Sequence, residues 1–176
     1  MRIKIILAAL FCLLVQIQAV CAGNSDLHYI DSIFKSQNSD SIKGMRLIEP
    51  CFNKALTADA SCLTYCNKLY AFLEPKKEAW AYNELSMVYV SFGTYYLYVG
   101  NTDSAEYFYT KCLTLGQEKK LPKIITKGYM NLDNLYNSKN DYKTAIELSL
   151  KALDNSIDEK MTASIYGNLA NSYIHW

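Results

Sequence analysis

Apolar positions recur three and four residues apart along most of the chain, the spacing that places them on one side of a helix. The stretch Asp26–Lys35 sets Leu27, Ile30 and Phe34 on one face. Asp40–Leu56 carries Ile42, Met45, Ile48, Phe52 and Leu56, with Pro50 expected to kink or split it. Ser61–Leu73 carries Cys62, Tyr65, Cys66, Leu69 and Phe72, and Glu74-Pro75 ends it. Further helices are expected over Lys77–Val99, Thr102–Leu115, Pro122–Asn137, Asp141–Leu153 and Asp158–Trp176. The connections are short, roughly three to six residues, as between neighbouring antiparallel helices. No run alternates with period two strongly enough to predict a strand. The expected fold is all-α, built from consecutive antiparallel helix pairs.

The first residues follow another pattern. Arg2 and Lys4 precede an unbroken apolar run, Ile5 to Val15, of signal-peptide length. Gln16 and Gln18 end that run well short of the roughly twenty residues a membrane-spanning helix needs. Val20-Cys21-Ala22 offers a cleavage site before Gly23, which makes residues 1–22 a leader and the chain an exported, periplasmic one. Lipidation at Cys21 is the alternative, and Val20 is a poor residue to precede a lipidated cysteine. No transmembrane helix is expected in the mature chain.

The helix pairs repeat. Tyr89, Phe92, Gly93 and Tyr96 precede Gly100-Asn101, followed by Ala105, Tyr109, Cys112 and Leu113. Tyr129, Leu132, Asp133 and Tyr136 precede Asn140-Asp141-Tyr142, followed by Ala145, Ser149, Ala152 and Leu153. A third opening, Tyr166, Leu169, Ala170 and Tyr173, runs to Trp176. This arrangement resembles the tetratricopeptide repeat, a 34-residue helix–turn–helix unit with a small residue where the paired helices meet. Gly93, Ala105, Ala145, Ala152 and Ala170 fill such small positions, and Tyr89, Phe92, Tyr96 and Tyr109 fill the space between pairs. Asp133, where a small residue is expected, suggests a wider crossing, and Ser149 stands where an aromatic is usual. The resemblance implies a right-handed α-solenoid with units near 86–119 and 126–159 and a half repeat at 163–176. Residues 23–77 read as degenerate N-terminal repeats. The half repeat reads as an interrupted solenoid whose Tyr173-Ile174-His175-Trp176 end seeks cover from a longer parent chain, a partner or a second copy.

Composition narrows the function. With 18 Lys+Arg against 17 Asp+Glu and 51% hydrophobic residues, the chain is neither a disordered tail nor a basic nucleic-acid binder. Catalytic motifs are absent from the sequence, so neither an enzyme nor a cofactor is expected. His28 and His175 have no convergent ligands in sequence, and Asp154–Glu159 lacks the glycine and spacing of a calcium loop. Cys51, Cys62, Cys66 and Cys112 admit three readings: small buried thiols, a disulfide such as Cys51 to Cys62, or metal and redox chemistry.

What remains is surface. By the resemblance, the first helix of each pair lines a concave groove that holds a peptide or helix of a partner protein. In register, that face carries Thr94 and Tyr98, with Val90 and Leu97 beside them. It continues through Lys127, Met130, Asn131, Asn134 and Asn137 to Ser164, Asn168 and Asn171. Amides suit peptide recognition because each offers both a donor and an acceptor. The family's carboxylate-binding variants place several Lys or Arg in the groove, whereas Lys127 is the one cation in this set. The expected function is a non-catalytic exported binding module. The alternative is the sensory part of a bacterial signalling protein, a histidine kinase or DNA-binding regulator.

Overall fold

The computed structural model describes residues 28–176. The leader, Cys21 and Leu27 lie outside the described residues. The chain divides into two compact units, residues 1–39 and 40–176. In the first, α1 (residues 28–35) buries Ile30 and Ile33.

The second unit is wholly helical outside its connections: α2 (Asp40–Leu56), α3 (Ser61–Leu73), α4 (Ala79–Tyr98), α5 (Thr102–Lys119), α6 (Pro122–Ser138), α7 (Tyr142–Asn155) and α8 (Glu159–His175). No strand occurs among the described residues. Each helix packs on the next, and α2 meets α4, α4 meets α6, and α6 meets α8. No described helix is long and apolar enough to cross a membrane.

Pro50 neither ends nor divides α2. It removes one backbone donor, but Leu47, Cys51 and Ala55 on either side are buried, and that packing holds the turn together. The buried face is also rotated from the expected one. Gly44, Leu47, Cys51 and Ala55 point inward, while Ile42, Met45 and Leu56 are exposed. Leu73 and the Trp80 ring lie 3.5 Å from where a side chain at Gly44 would begin, ordinary contact for a first carbon with little room beyond it.

Helix α4 is the hub. It packs against α2, α3, α5 and α6, so residues all round it are buried, from Leu85 and Val88 to Val90, Phe92 and Thr94. Its buried Ser86 and Ser91 satisfy their hydroxyls on their own helix, bonding the carbonyls of Asn83 and Met87 at 2.6 and 2.9 Å.

The turns repeat with the sequence. Gly100 and Asn140, at equivalent places, adopt positive φ of 82° and 60°. This left-handed residue closes one helix, and the next backbone N–H bonds back to Tyr96 or Tyr136 at 2.8 and 2.9 Å. The same next residue, Asn101 or Asp141, then caps the following helix by accepting from the N–H of Ser104 or Thr144. Asp158 caps α8 in the same way through Met161.

Between α5 and α6 the helices approach backbone to backbone. A methyl group added at Gly128 would stand 2.7 Å from the Leu113 Cα, and one at Gly116 would stand 2.7 Å from the Ile125 nitrogen.

Candidate functional site

Helices α6 and α8 enclose a cleft of about 290 Å³ lined by Lys127, Met130, Asn131 and Asn134, with Lys160, Met161 and Ser164 opposite. Five residues of the expected groove face, Ser164 of its third unit among them, therefore come together. Lys160 and Met161 were missed by sequence reasoning, although they lie one turn before Ser164 on the same helix face. Lys127 is thus not the one cation of its groove.

The Lys127 side chain is half-buried, and its ammonium donates to the Ser86 hydroxyl of α4 at 2.9 Å. No carboxylate among the described residues lies within ion-pair distance of it. Desolvation pushes its pKa below the ordinary lysine value, opposed by Cys112 and Glu84. An ammonium has three donors, and here a single neutral oxygen is its hydrogen-bond partner.

The remaining residues divide. Thr94 does not face the groove: it is buried, its hydroxyl 3.2 Å from the Tyr109 phenol, because α5 covers that side of α4. Tyr98 is exposed at the end of α4, and Asn171 is exposed on α8; neither lines the cleft. Asn137 and Asn168 are occupied by the protein itself. Asn137 donates to the Asp133 carboxylate at 2.8 Å and Asn168 donates to it at 2.7 Å. Asn168 also donates to the Asn134 side-chain carbonyl at 3.0 Å, and the Ser172 hydroxyl donates to that of Asn137 at 2.9 Å. Most of the amide cluster is a polar seam joining α6 to α8.

Asp133 is fully buried within that seam. Burial pushes its carboxyl above the usual carboxylate range, while Asn168, Ser149 and Asn137 favour the charged form.

A second cleft, about 340 Å³, opens where Tyr70, Tyr89, Phe92, Tyr96, Tyr107 and Phe108 converge beside Asn67 and Lys111. Phe108 stacks on Phe92 with ring centroids 4.5 Å apart and on Tyr96 at 5.6 Å. Tyr89, half-buried here, has its phenol pushed up to about 12, chiefly by desolvation. Sequence reasoning treated Tyr89, Phe92 and Tyr96 as filler between helix pairs. They also line an open cleft, and the density of tyrosines was the available signal.

Cys51, Cys62 and Cys66 meet between α2 and α3 against α4, their sulfurs all within 4.8 Å of one another and all three residues buried. They are free thiols, as is buried Cys112. Cys51 Sγ stands 3.0 Å from Cys66 Sγ and Cys62 Sγ stands 3.7 Å from Cys66 Sγ, so Cys66 lies within 4 Å of both other thiols.

No family model matches the chain, no curated protein matches it and no solved structure matches it.

Proposed function

We propose that the chain is an exported, non-catalytic binding module of the tetratricopeptide type, a right-handed solenoid that grips a partner-protein segment bearing a carboxylate in the α6–α8 cleft. The observation that carries this reading is the Lys127 ammonium, half-buried, hydrogen-bonded to one neutral hydroxyl and in direct ion-pair contact with no described carboxylate, Glu84 acting on it only through space. A buried cation left with unused donors gains from an incoming anion, because a charge-assisted hydrogen bond replaces poor solvation. Lys160 adds a second positive charge from the facing helix, and the Met130 and Met161 side chains supply adaptable apolar contact. Asn131 commits its amide to the Lys127 carbonyl at 2.8 Å, which leaves its side-chain oxygen as an acceptor. The solenoid reading is supported by the alternate-helix packing and by the equivalent turns at Gly100 and Asn140.

The test is titration of the isotopically labelled chain with short peptides that end in a free carboxylate, carry internal Asp or Glu, or carry neither. Acidic peptides should shift backbone resonances across Lys127–Asn134 and Lys160–Ser164. Lys127→Met should weaken that binding about tenfold or more while leaving the fold intact. Equal binding of neutral peptides, or shifts confined to Tyr89 and Phe108, would reject the carboxylate reading.

A further inference from the structure

Cys51 projects from the buried face of α2 between Leu47 and Ala55, and Cys66 from the buried face of α3 between Cys62 and Leu69. Both residues are at 0% exposure. Their sulfurs are 3.0 Å apart, so an approach of about 1 Å reaches the bonded length of about 2.05 Å. Only a short connection separates the two helices, and the cysteines lie 15 residues apart.

The surroundings discriminate between a bond and a bound metal. Most oxygens near these sulfurs are backbone carbonyls, with the Ser91 hydroxyl also beside Cys51: Cys62 Sγ lies 3.6 Å from the Cys51 backbone oxygen and 4.0 Å from that of Ser91, and Cys66 Sγ lies 4.0 Å from that of Val88. Carbonyl oxygens accept from neutral S–H groups and repel thiolates. A metal held by this triad would need all three sulfurs ionised together in a buried, carbonyl-lined space, where net negative charge is poorly solvated. A disulfide is neutral and apolar and fits that space.

We propose that Cys51 and Cys66 join in a disulfide that ties α2 to α3 beneath α4, with Cys62 remaining a thiol beside it. The reaction needs a disulfide oxidant R–S–S–R, either glutathione disulfide or a protein disulfide. The Cys66 thiolate attacks one oxidant sulfur and releases R–S⁻. The Cys51 thiolate then attacks Cys66 in the mixed disulfide, forms the protein S–S bond and releases the second R–S⁻. Two electrons pass to the oxidant, and the two thiol protons end on the released thiolates. Because both sulfurs are buried in the finished fold, the exchange takes place before α2 and α3 close on α4, and the bond is afterwards shielded from reductants.

The test folds the full chain in a buffer of oxidised and reduced glutathione, then denatures and alkylates it without reductant. Cleavage after Lys54 and Tyr65 separates Cys51, Cys62 and Cys66 onto different peptides, so mass spectrometry reads each directly. The expected products are a Cys51–Cys66 cross-linked pair and an alkylated Cys62. In the folded chain that bond should resist a reductant that breaks it at once in denaturant. Cys62→Ala should retain the cross-link, and its oxidised form should melt about 5 °C or more above its reduced form. Alkylation of both Cys51 and Cys66 in the wild type overturns the proposal, as does a cross-link to Cys62. A stoichiometric metal found by elemental analysis, with all three thiols reduced, overturns it in favour of an ion site.

Discussion

Gly93 of α4 lies against the ring of Tyr109 of α5, so closely that a methyl group at Gly93 would fall on the ring itself. The equivalent residues of the next pair are Asp133 and Ser149, both buried. Bulk has changed sides: the first pair sets nothing against a phenol, and the second sets a carboxylate against a hydroxymethyl. The departures from the repeat pattern at Asp133 and Ser149 are therefore one complementary change, and the first pair is where added bulk has nowhere to go.

Gly93→Ala should accordingly destabilise by about 1–3 kcal/mol through overpacking. Tyr109→Leu in the same chain should recover part of that loss, because the clash is with the ring edge. Thermal or urea denaturation of the two variants reads the result. Additive losses would show that the ring is not what excludes the methyl.

Two helical glycines should respond in opposite directions to alanine. Gly128→Ala meets the Leu113 backbone, which no rotamer change relieves, and should cost about 1–3 kcal/mol. Gly167 in α8 has nothing within 4 Å, so Gly167→Ala should gain about 0.5–1 kcal/mol from helix propensity alone. Melting curves for the pair provide the comparison.

The Asp133–Asn168 bond should show coupling. Asn168→Ala leaves the buried Asp133 carboxylate with Asn137 alone of its two amide donors, and Asp133→Ala leaves the half-buried Asn168 with Asn134, each at about 0.5–1.5 kcal/mol. The double variant should lose less than the sum, by about 0.5 kcal/mol or more in a double-mutant cycle. A strictly additive cycle would mean that the seam contributes nothing across these helices.

Glu106 provides the pH test. It accepts from Lys139 at 2.7 Å and from the Tyr136 hydroxyl at 2.7 Å, and these two, Lys139 first, hold its carboxyl below the usual range. A carboxylate depressed in the folded state adds stability that is present above its unfolded pKa, about 4.3, and is lost as pH falls through the folded value. Glu106→Gln should therefore be less stable than the parent near neutral pH by up to about 1 kcal/mol, a partly exposed pair being worth little more. The difference should close in acid. A gap that stays constant from about pH 7 to pH 3 would assign the effect to shape instead of charge.

Several helix boundaries were legible because their signals are local, though α5 runs on to Lys119 past the expected Leu115. Asp40, Ser61, Pro122 and the Gly100-Asn101 and Asn140-Asp141 turns mark boundaries through backbone chemistry within a few residues. The buried face of α2 was not legible, since Gly44, Cys51 and Ala55 carry little hydrophobic signal beside Ile42, Met45 and Leu56. What turns that face inward is its packing on α3 and α4, supplied from later in the chain, with Leu73 and Trp80 against Gly44. The amides show the same limit. Asn137 and Asn168 read as a surface row, and only the apposition of α6 and α8 reveals Asp133 between them. Lys127, Met130, Asn131 and Asn134 line one cleft, and helical register alone puts them side by side.

The seam between α6 and α8 acts as a lock on alignment more than as a source of strength. Ile165 is the only hydrophobic residue of α8 that is fully buried, so apolar contact alone would let α8 slide or rotate at small cost. Hydrogen bonds are directional, and each donor in the seam has an acceptor at one height only. Moving α8 by a single turn would separate Asn168 from Asp133 and Asn134, and Ser172 from Asn137, all at once. Lys160 and Met161, at the start of the same helix, are thereby held at a fixed height opposite Lys127 and Met130. The width and chemistry of the cleft are set by a seam that begins at Asn134 in its own wall and runs on through Asn168 to Ser172.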